Sequence, residues 1–276
     1  MKALDFGGRI FRYAGCLLAC VCGASLGHAQ IITLADKNSV AQVNLGSQAG
    51  MFNWTADGQN QLVQQWFWYR VGNNPEASIN TIGGLTFSTP DARSLNSTYD
   101  NGSYAVTISY LLTGFSPGSG VSDIAETISI LNRTGAPLEF HFFQYSDFDL
   151  GGAGNDTIQL GKNLRGQYNE ASQSDPAVAL TETVVTPGAN HGEAAFFNTT
   201  LAKLNNGVAD NLNDNVGPVG PGDVTWALQW DFSIAPGSSV GISKDKYLHI
   251  LAIPEPSALA LLAVGGAALI LRRRRV

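Results

Sequence analysis

Residues 225–234 read TWALQWDFSI. Trp226, Leu228, Trp230, Phe232 and Ile234 fall on one side of an extended chain, and Thr225, Gln229, Asp231 and Ser233 fall on the other. That period of two is what a half-buried strand requires. Tyr104 to Leu112 repeats it, with Tyr104, Val106, Ile108, Tyr110 and Leu112 on one face. Outward from these two stretches, the pattern predicts strands over 61–71, 77–85, 124–131, 138–145, 177–185, 193–197 and 240–251. Clusters of Gly, Asn, Asp, Ser and Pro separate them, such as TGFSPGSG (113–120) and LNDNVGPVGPG (212–222). No interior stretch carries a convincing helical period, although 208–212 has room for a turn. Strands with polar outer faces and short connections predict an all-β body, two antiparallel sheets packed as a β-sandwich or jelly roll. No internal repeat and no linker divides it, and 276 residues suffice for one sizeable core.

The first 29 residues have the layout of a secretory signal peptide. Lys2, Arg9 and Arg12 make a positive start, an apolar run extends from Ala14 to Leu26, and Gly27-His28-Ala29 offers small residues for cleavage. Cys16, Cys20 and Cys22 are the chain's three cysteines, and all lie in this removable segment. The mature chain is therefore expected to have neither disulfide nor thiol chemistry and to rely on its core. Between residues 30 and 252, nine Lys and Arg face twenty Asp and Glu, a net charge of −11. Phosphate backbones would repel such a domain, which argues against nucleic acid as a partner.

The other end reads IPEPSALALLAVGGAALILRRRRV, residues 253–276. Pro254 and Pro256 keep the chain extended and mark a helix start. The apolar stretch from Ser257 to Leu271 would span about 22 Å as a helix, short of the ~30 Å hydrocarbon core, and predicts a single transmembrane helix with snorkelling arginines. Arg272, Arg273, Arg274 and Arg275 would hold that end in the cytoplasm and leave the body outside. Pro-Glu-Pro, a short apolar helix and a terminal arginine cluster, in that order, resemble the PEP-CTERM sorting signal of Gram-negative bacteria. The resemblance implies that an exosortase, a membrane transpeptidase-like enzyme, processes the chain near Pro254, Glu255 and Pro256. It also implies transient anchoring in the inner membrane and delivery to the cell surface or an exopolysaccharide matrix. The resulting division is 1–29 signal peptide, 30–252 extracellular domain and 253–276 sorting signal.

Chemistry in the body is sparse. GGAGNDTIQ (151–159) fits the calcium-binding nonapeptide G-G-x-G-x-D-x-U-x, with Asp156 as its carboxylate and Asp147 and Asp149 just upstream. That motif works as a stack of repeats and here stands alone, so a plain loop is the competing reading. No other cofactor is suggested. GFSPG (114–118) matches G-x-S-x-G, but Pro117 lacks the N–H an oxyanion hole needs after the serine. His141 shares its parity with Phe143, Tyr145 and Asp147, a pattern that also suits a histidine simply hydrogen-bonded on a sheet. Glu126, Glu139 and Glu182 supply carboxylates without showing any two at a glycosidase separation. In QWFWYR (65–70), Trp66 and Trp68 lie on one side and Phe67 and Tyr69 on the other, so either pair could stack on a sugar if exposed, or both could be core.

These readings give an exported surface or matrix protein with a structural, non-enzymatic role as the expectation. A carbohydrate-binding module for exopolysaccharide is the alternative and requires one aromatic pair to face solvent. A secreted glycan hydrolase stands third.

Overall fold

The computed structural model describes residues 30–251. The signal-peptide segment and the sorting segment, with Pro254, Glu255, Pro256, the 257–271 stretch and Arg272 to Arg275, lie outside the described residues. Among the described residues no helix is long and apolar enough to cross a membrane.

In chain order the strands are β1 (Ile31–Asp36), β2 (Ser39–Asn44), β3 (Gly50–Ala56), β4 (Gln59–Asn60), β5 (Leu62–Val71), β6 (Ala77–Ser78), β7 (Thr86–Ser88), β8 (Ser94–Asp100) and β9 (Tyr104–Gly114). Then come β10 (Val121–Asn132), β11 (Leu138–Phe148), β12 (Asp156–Lys162), β13 (Tyr168–Ser174), β14 (Val178–Thr186), β15 (His191–Phe196), β16 (Val219–Gly222), β17 (Val224–Ile234) and β18 (Ser239–Ile250). One sheet runs β1-β2-β3-β5-β11-β17-β15, with β4 beside β3 and β6 beside β5. The other runs β16-β12-β13-β14-β18-β10-β9-β8-β7. Pairing is antiparallel except for a short parallel contact of β3 with β5. The all-β antiparallel sandwich expected from the alternating pattern is the architecture.

Aromatic rings fill the space between the sheets. Phe67 stacks on Phe142 with centroids 5.3 Å apart, and Phe148 lies between Trp54 and Trp226 at 6.2 and 6.5 Å. Trp54 also ties the layers together, its indole N–H reaching the Ser122 hydroxyl of β10 at 2.8 Å. Burying rings of this size removes 150–250 Å² each from water and dominates the core energetics.

The outer face of the first sheet departs from expectation. Thr225, Ala227 and Gln229 of β17 are buried like the apolar residues between them, rather than facing solvent. The cause is the segment after β15, which folds back over this face. It contains the only α-helix among the described residues, α1 (Thr199–Lys203), placed earlier than the turn expected at 208–212. Glu193 of β15 secures it, accepting hydrogen bonds from Thr200 Oγ1 at 2.8 Å, Lys203 Nζ at 2.5 Å and the Asn213 amide at 2.7 Å. Trp68 of β5 donates to Asn205 Oδ1 at 3.3 Å from beneath. Both faces of the central strands are therefore covered, and the outer face opens only beyond this strap.

Candidate functional site

Strand register builds a polar row on that open part of the outer face. Arg70 of β5 stands opposite His141 of β11, His141 stands opposite Asp231 of β17, and His191 of β15 lies opposite Gln229, two residues from Asp231. Side chains two apart on a strand share a face, so all five point the same way. His141 Nδ1 lies 2.5 Å from Asp231 Oδ1, and His191 Nε2 lies 3.4 Å from Asp231 Oδ2. His191 Nδ1 meets Asp214 Oδ2 at 3.0 Å. One carboxylate thus connects two imidazoles, and the second imidazole has a carboxylate at each ring nitrogen.

Asp231 is further held by Gln229, whose Nε2 donates to Asp231 Oδ1 at 2.8 Å and to Asn211 Oδ1 at 2.9 Å. Burial alone would push the Asp231 carboxyl up, but the hydrogen bonds from His141 and Gln229 outweigh it and hold the group below the usual carboxylate range. Asp214 behaves alike, with His191 overcoming its desolvation. Arg70 does not aim into solvent. Its guanidinium donates to Glu76 Oε1 at 2.9 Å, the Asp210 carbonyl at 2.6 Å and Asn211 Oδ1 at 2.8 Å, and so fixes the strap above the row. Gly192 sets His191 in place, because a Cβ there would come within 2.6 Å of the Tyr168 ring and lift β15 off the core. The side chains of His141, Asp231, His191 and Asp214 are 20%, 26%, 29% and 46% exposed, so a ligand can reach them. Asp231 holds Nδ1 of His141 and so fixes the ring's tautomer and orientation, which turns Nε2 toward the open face.

The other expected site residues are distributed differently. Trp66, Phe67 and Trp68 are fully buried and Tyr69 is half-buried, packed on Phe140 at 5.8 Å, so neither aromatic pair is an exposed stacking platform. Trp66 contacts Tyr99 of the opposite sheet, and Trp68 lies under the strap against Tyr145. Asp147 and Asp149 come together with Asp223, their ligand atoms within 4.8 Å, and form the only such acidic group among the described residues. Asp156 is not one of these three but lies near enough for its charge to act on Asp147; its Oδ2 accepts from the Leu150 amide at 3.0 Å and Gln173 Nε2 at 2.8 Å, and its Oδ1 is buried without a hydrogen-bond partner. Ser116 of the G-x-S-x-G match sits in the exposed β9–β10 turn. Glu126 and Glu182 are sealed between the sheets with Lys244 and Lys246, while Glu139 is exposed on the opposite sheet, so these three make no glycosidase pair. A separate cleft of about 590 Å³ lies between α1 and the start of β5, lined by Gln48, Gln64, Asn198, Leu201 and Asn205 and free of ionisable groups.

No curated protein matches the chain in sequence. Among solved structures, a candidate aldose 1-epimerase from Escherichia coli K12 is similar with a TM-score of 0.57 at 12% identity, over 80% of this chain and 99% of that one. A galactose mutarotase-like protein from Lactobacillus casei ATCC 334 is similar with a TM-score of 0.50 at 8% identity, over 80% of this chain and all of that one. A bacterial glucoamylase solved with acarbose is similar with a TM-score of 0.54 at 10% identity; 87% of this chain matches 36% of it. At these identities the likeness establishes the fold. It also corrects the expectation of a structural, non-enzymatic body, which rested on reading a generic sandwich, because structures named for an aldose 1-epimerase and a galactose mutarotase-like protein share this fold. At the sequence level, residues 252–275 match the PEP-CTERM protein-sorting motif, which implies export, transient membrane anchoring of the C-terminal end and processing by an exosortase. The chain is thus a protein that carries the PEP-CTERM sorting signal behind a β-sandwich body.

Proposed function

We propose that the exported body acts on a carbohydrate by proton transfer at the row His141–Asp231–His191, interconverting the anomers of an aldose. The observation that carries this reading is the single carboxylate joining two accessible imidazoles on the open face of the sheet. Opening a pyranose ring requires one group to take the anomeric hydroxyl proton while another gives a proton to the ring oxygen, and closing it reverses both transfers. His141, oriented by Asp231, supplies one of these groups, and His191, oriented at Nδ1 by Asp214, supplies the other through Nε2, which makes no hydrogen bond to Asp231 at its 3.4 Å separation. The names of the similar structures, an aldose 1-epimerase and a mutarotase-like protein, support the same class of reaction. The destination that suits such a body is the cell surface or the exopolysaccharide matrix, where sugar ends are the available substrate.

The test is the rate at which a freshly dissolved single anomer of glucose or galactose reaches its equilibrium rotation. Wild-type protein should accelerate it, and Asp231→Asn or His141→Gln should reduce the acceleration by roughly 10²-fold. A wild-type rate equal to that of buffer would overturn the reading. A second reading, binding without turnover, is favoured by the amide-lined cleft beside α1. Calorimetric titration with the same sugars, in wild type and Gln64→Ala, separates the two.

A further inference from the structure

Away from the histidine row lies a group of ionisable side chains that the proposed reaction does not use. Lys244 and Lys246 of β18, Glu126 of β10 and Glu182 of β14 have no exposed side-chain surface and sit between the sheets. Register creates the group, since β18 runs between β10 and β14, with Glu126 opposite Lys244 and Glu182 opposite Lys246. The Lys244 ammonium donates to Glu126 Oε2, and Glu182 Oε2 is 3.8 Å from the same nitrogen. Lys246 Nζ lies 2.9 Å from Glu126 Oε1 and 3.1 Å from Glu182 Oε2, off the hydrogen-bond axis in both cases. The walls are apolar or neutral, with the Phe67 ring 5.1 Å from Lys244 Nζ and Gln144 donating to Glu182 at 2.8 Å.

Two ion pairs removed from water carry a desolvation penalty that their attraction offsets only in part. The same burial lowers Lys244 to about 8, while the charges of Lys244 and Lys246 outweigh the burial of Glu126 and hold its carboxyl below the usual range, so the resting pair is an ammonium and a carboxylate. No bulk water reaches the group to compete for the carboxyl carbon.

We propose that Lys244 and Glu126 condense to an intramolecular isopeptide bond joining β18 to β10, with Glu182 carrying the proton between them. In the step, Lys244 Nζ gives a proton to Glu182 and attacks Glu126 Cδ. The C–N bond forms, and one carboxyl oxygen of Glu126 leaves as water, taking the proton held by Glu182 and a second from Nζ. An ammonium and a carboxylate become an amide and water, with no oxidant, reductant or activated group required. Lys246 and Glu182 remain as a charge-balanced pair, and the cost of burying the first pair disappears. The link spans 118 residues of a body whose described part contains no cysteine, and it supplies the covalent tie that disulfides give other exported proteins.

The experiment is a mass measurement on the denatured full chain followed by tryptic mapping. The expected intact mass is below that of the same chain with free side chains by one water. Peptides 94–133 and 204–246 should run as a single linked species, with no cleavage after Lys244. Glu182→Gln should give a folded chain with the two peptides separate, and Lys244→Met should do the same. Separate peptides from wild-type protein that melts cooperatively would overturn the proposal, whatever the variants do. A link that persists in Glu182→Gln would overturn the role given to Glu182.

Discussion

At Asp147, desolvation comes first and the nearby carboxylates of Asp149 and Asp223 come next, together raising its pKa to about 7. The folded state therefore binds this proton more tightly than the unfolded state, in which the group titrates near pH 4. The stability it contributes is complete below about pH 4 and is lost as pH rises through about 7. Asp147→Asn should accordingly raise the melting temperature at about pH 8 and leave it unchanged at about pH 4, which thermal melts at the two values will check. Asp231 has the opposite sign, because hydrogen bonds from His141 and Gln229 overcome its burial and lower its pKa. Its contribution is present above the unfolded pKa and is lost as pH falls through the folded one, so Asp231→Asn should flatten the acid side of the stability profile. In the core, Phe142→Ala should cost about 3–5 kcal/mol in denaturant unfolding, since the ring is sandwiched between Phe67 and Trp230.

Glu193 is the fastening of the strap, holding the helix α1 through Thr200 and Lys203 and the following loop through Asn213. Glu193→Gln keeps the shape but exchanges a charged acceptor for an amide, and should destabilise the body by about 1–3 kcal/mol. Hydrogen exchange should rise at 199–213 before it rises in β17. The elements legible in the sequence were those with an apolar alternation, strict in β9 and β17 and still visible in β10 and β18 although Glu126, Lys244 and Lys246 occupy buried positions there. Strands such as β2, SVAQVN, and β13, YNEASQS, escaped because small or polar residues occupy the buried positions and leave no hydrophobic period to detect. The candidate site was legible only in pieces. Asp231 and Gln229 stood on the polar side of TWALQWDFSI, and His141 was noted by parity, but their meeting with each other and with His191 depends on pairing strands up to 90 residues apart. Nothing local to either segment encodes that register.

For the molecule as a whole, the backbone of the sandwich is closed by the last residues described. The Ile250 amide donates to Gly120 and the Leu251 amide to Ala177, both in the β18 neighbourhood. A chain ended after residue 251 should therefore melt at the same temperature as the full chain, and a clear fall would show that the sorting segment supports the fold. The place of β18 in the sheet has another result. Among the described residues its neighbours β14 and β10 are bridged by no other strand, so until β18 is inserted the second sheet exists as two unconnected halves. A polypeptide threaded outward from its N-terminus delivers β18 after every other strand of the body. The sorting motif starts within a few residues of β18, so on export from the N-terminus the strand that completes the body would arrive together with its address.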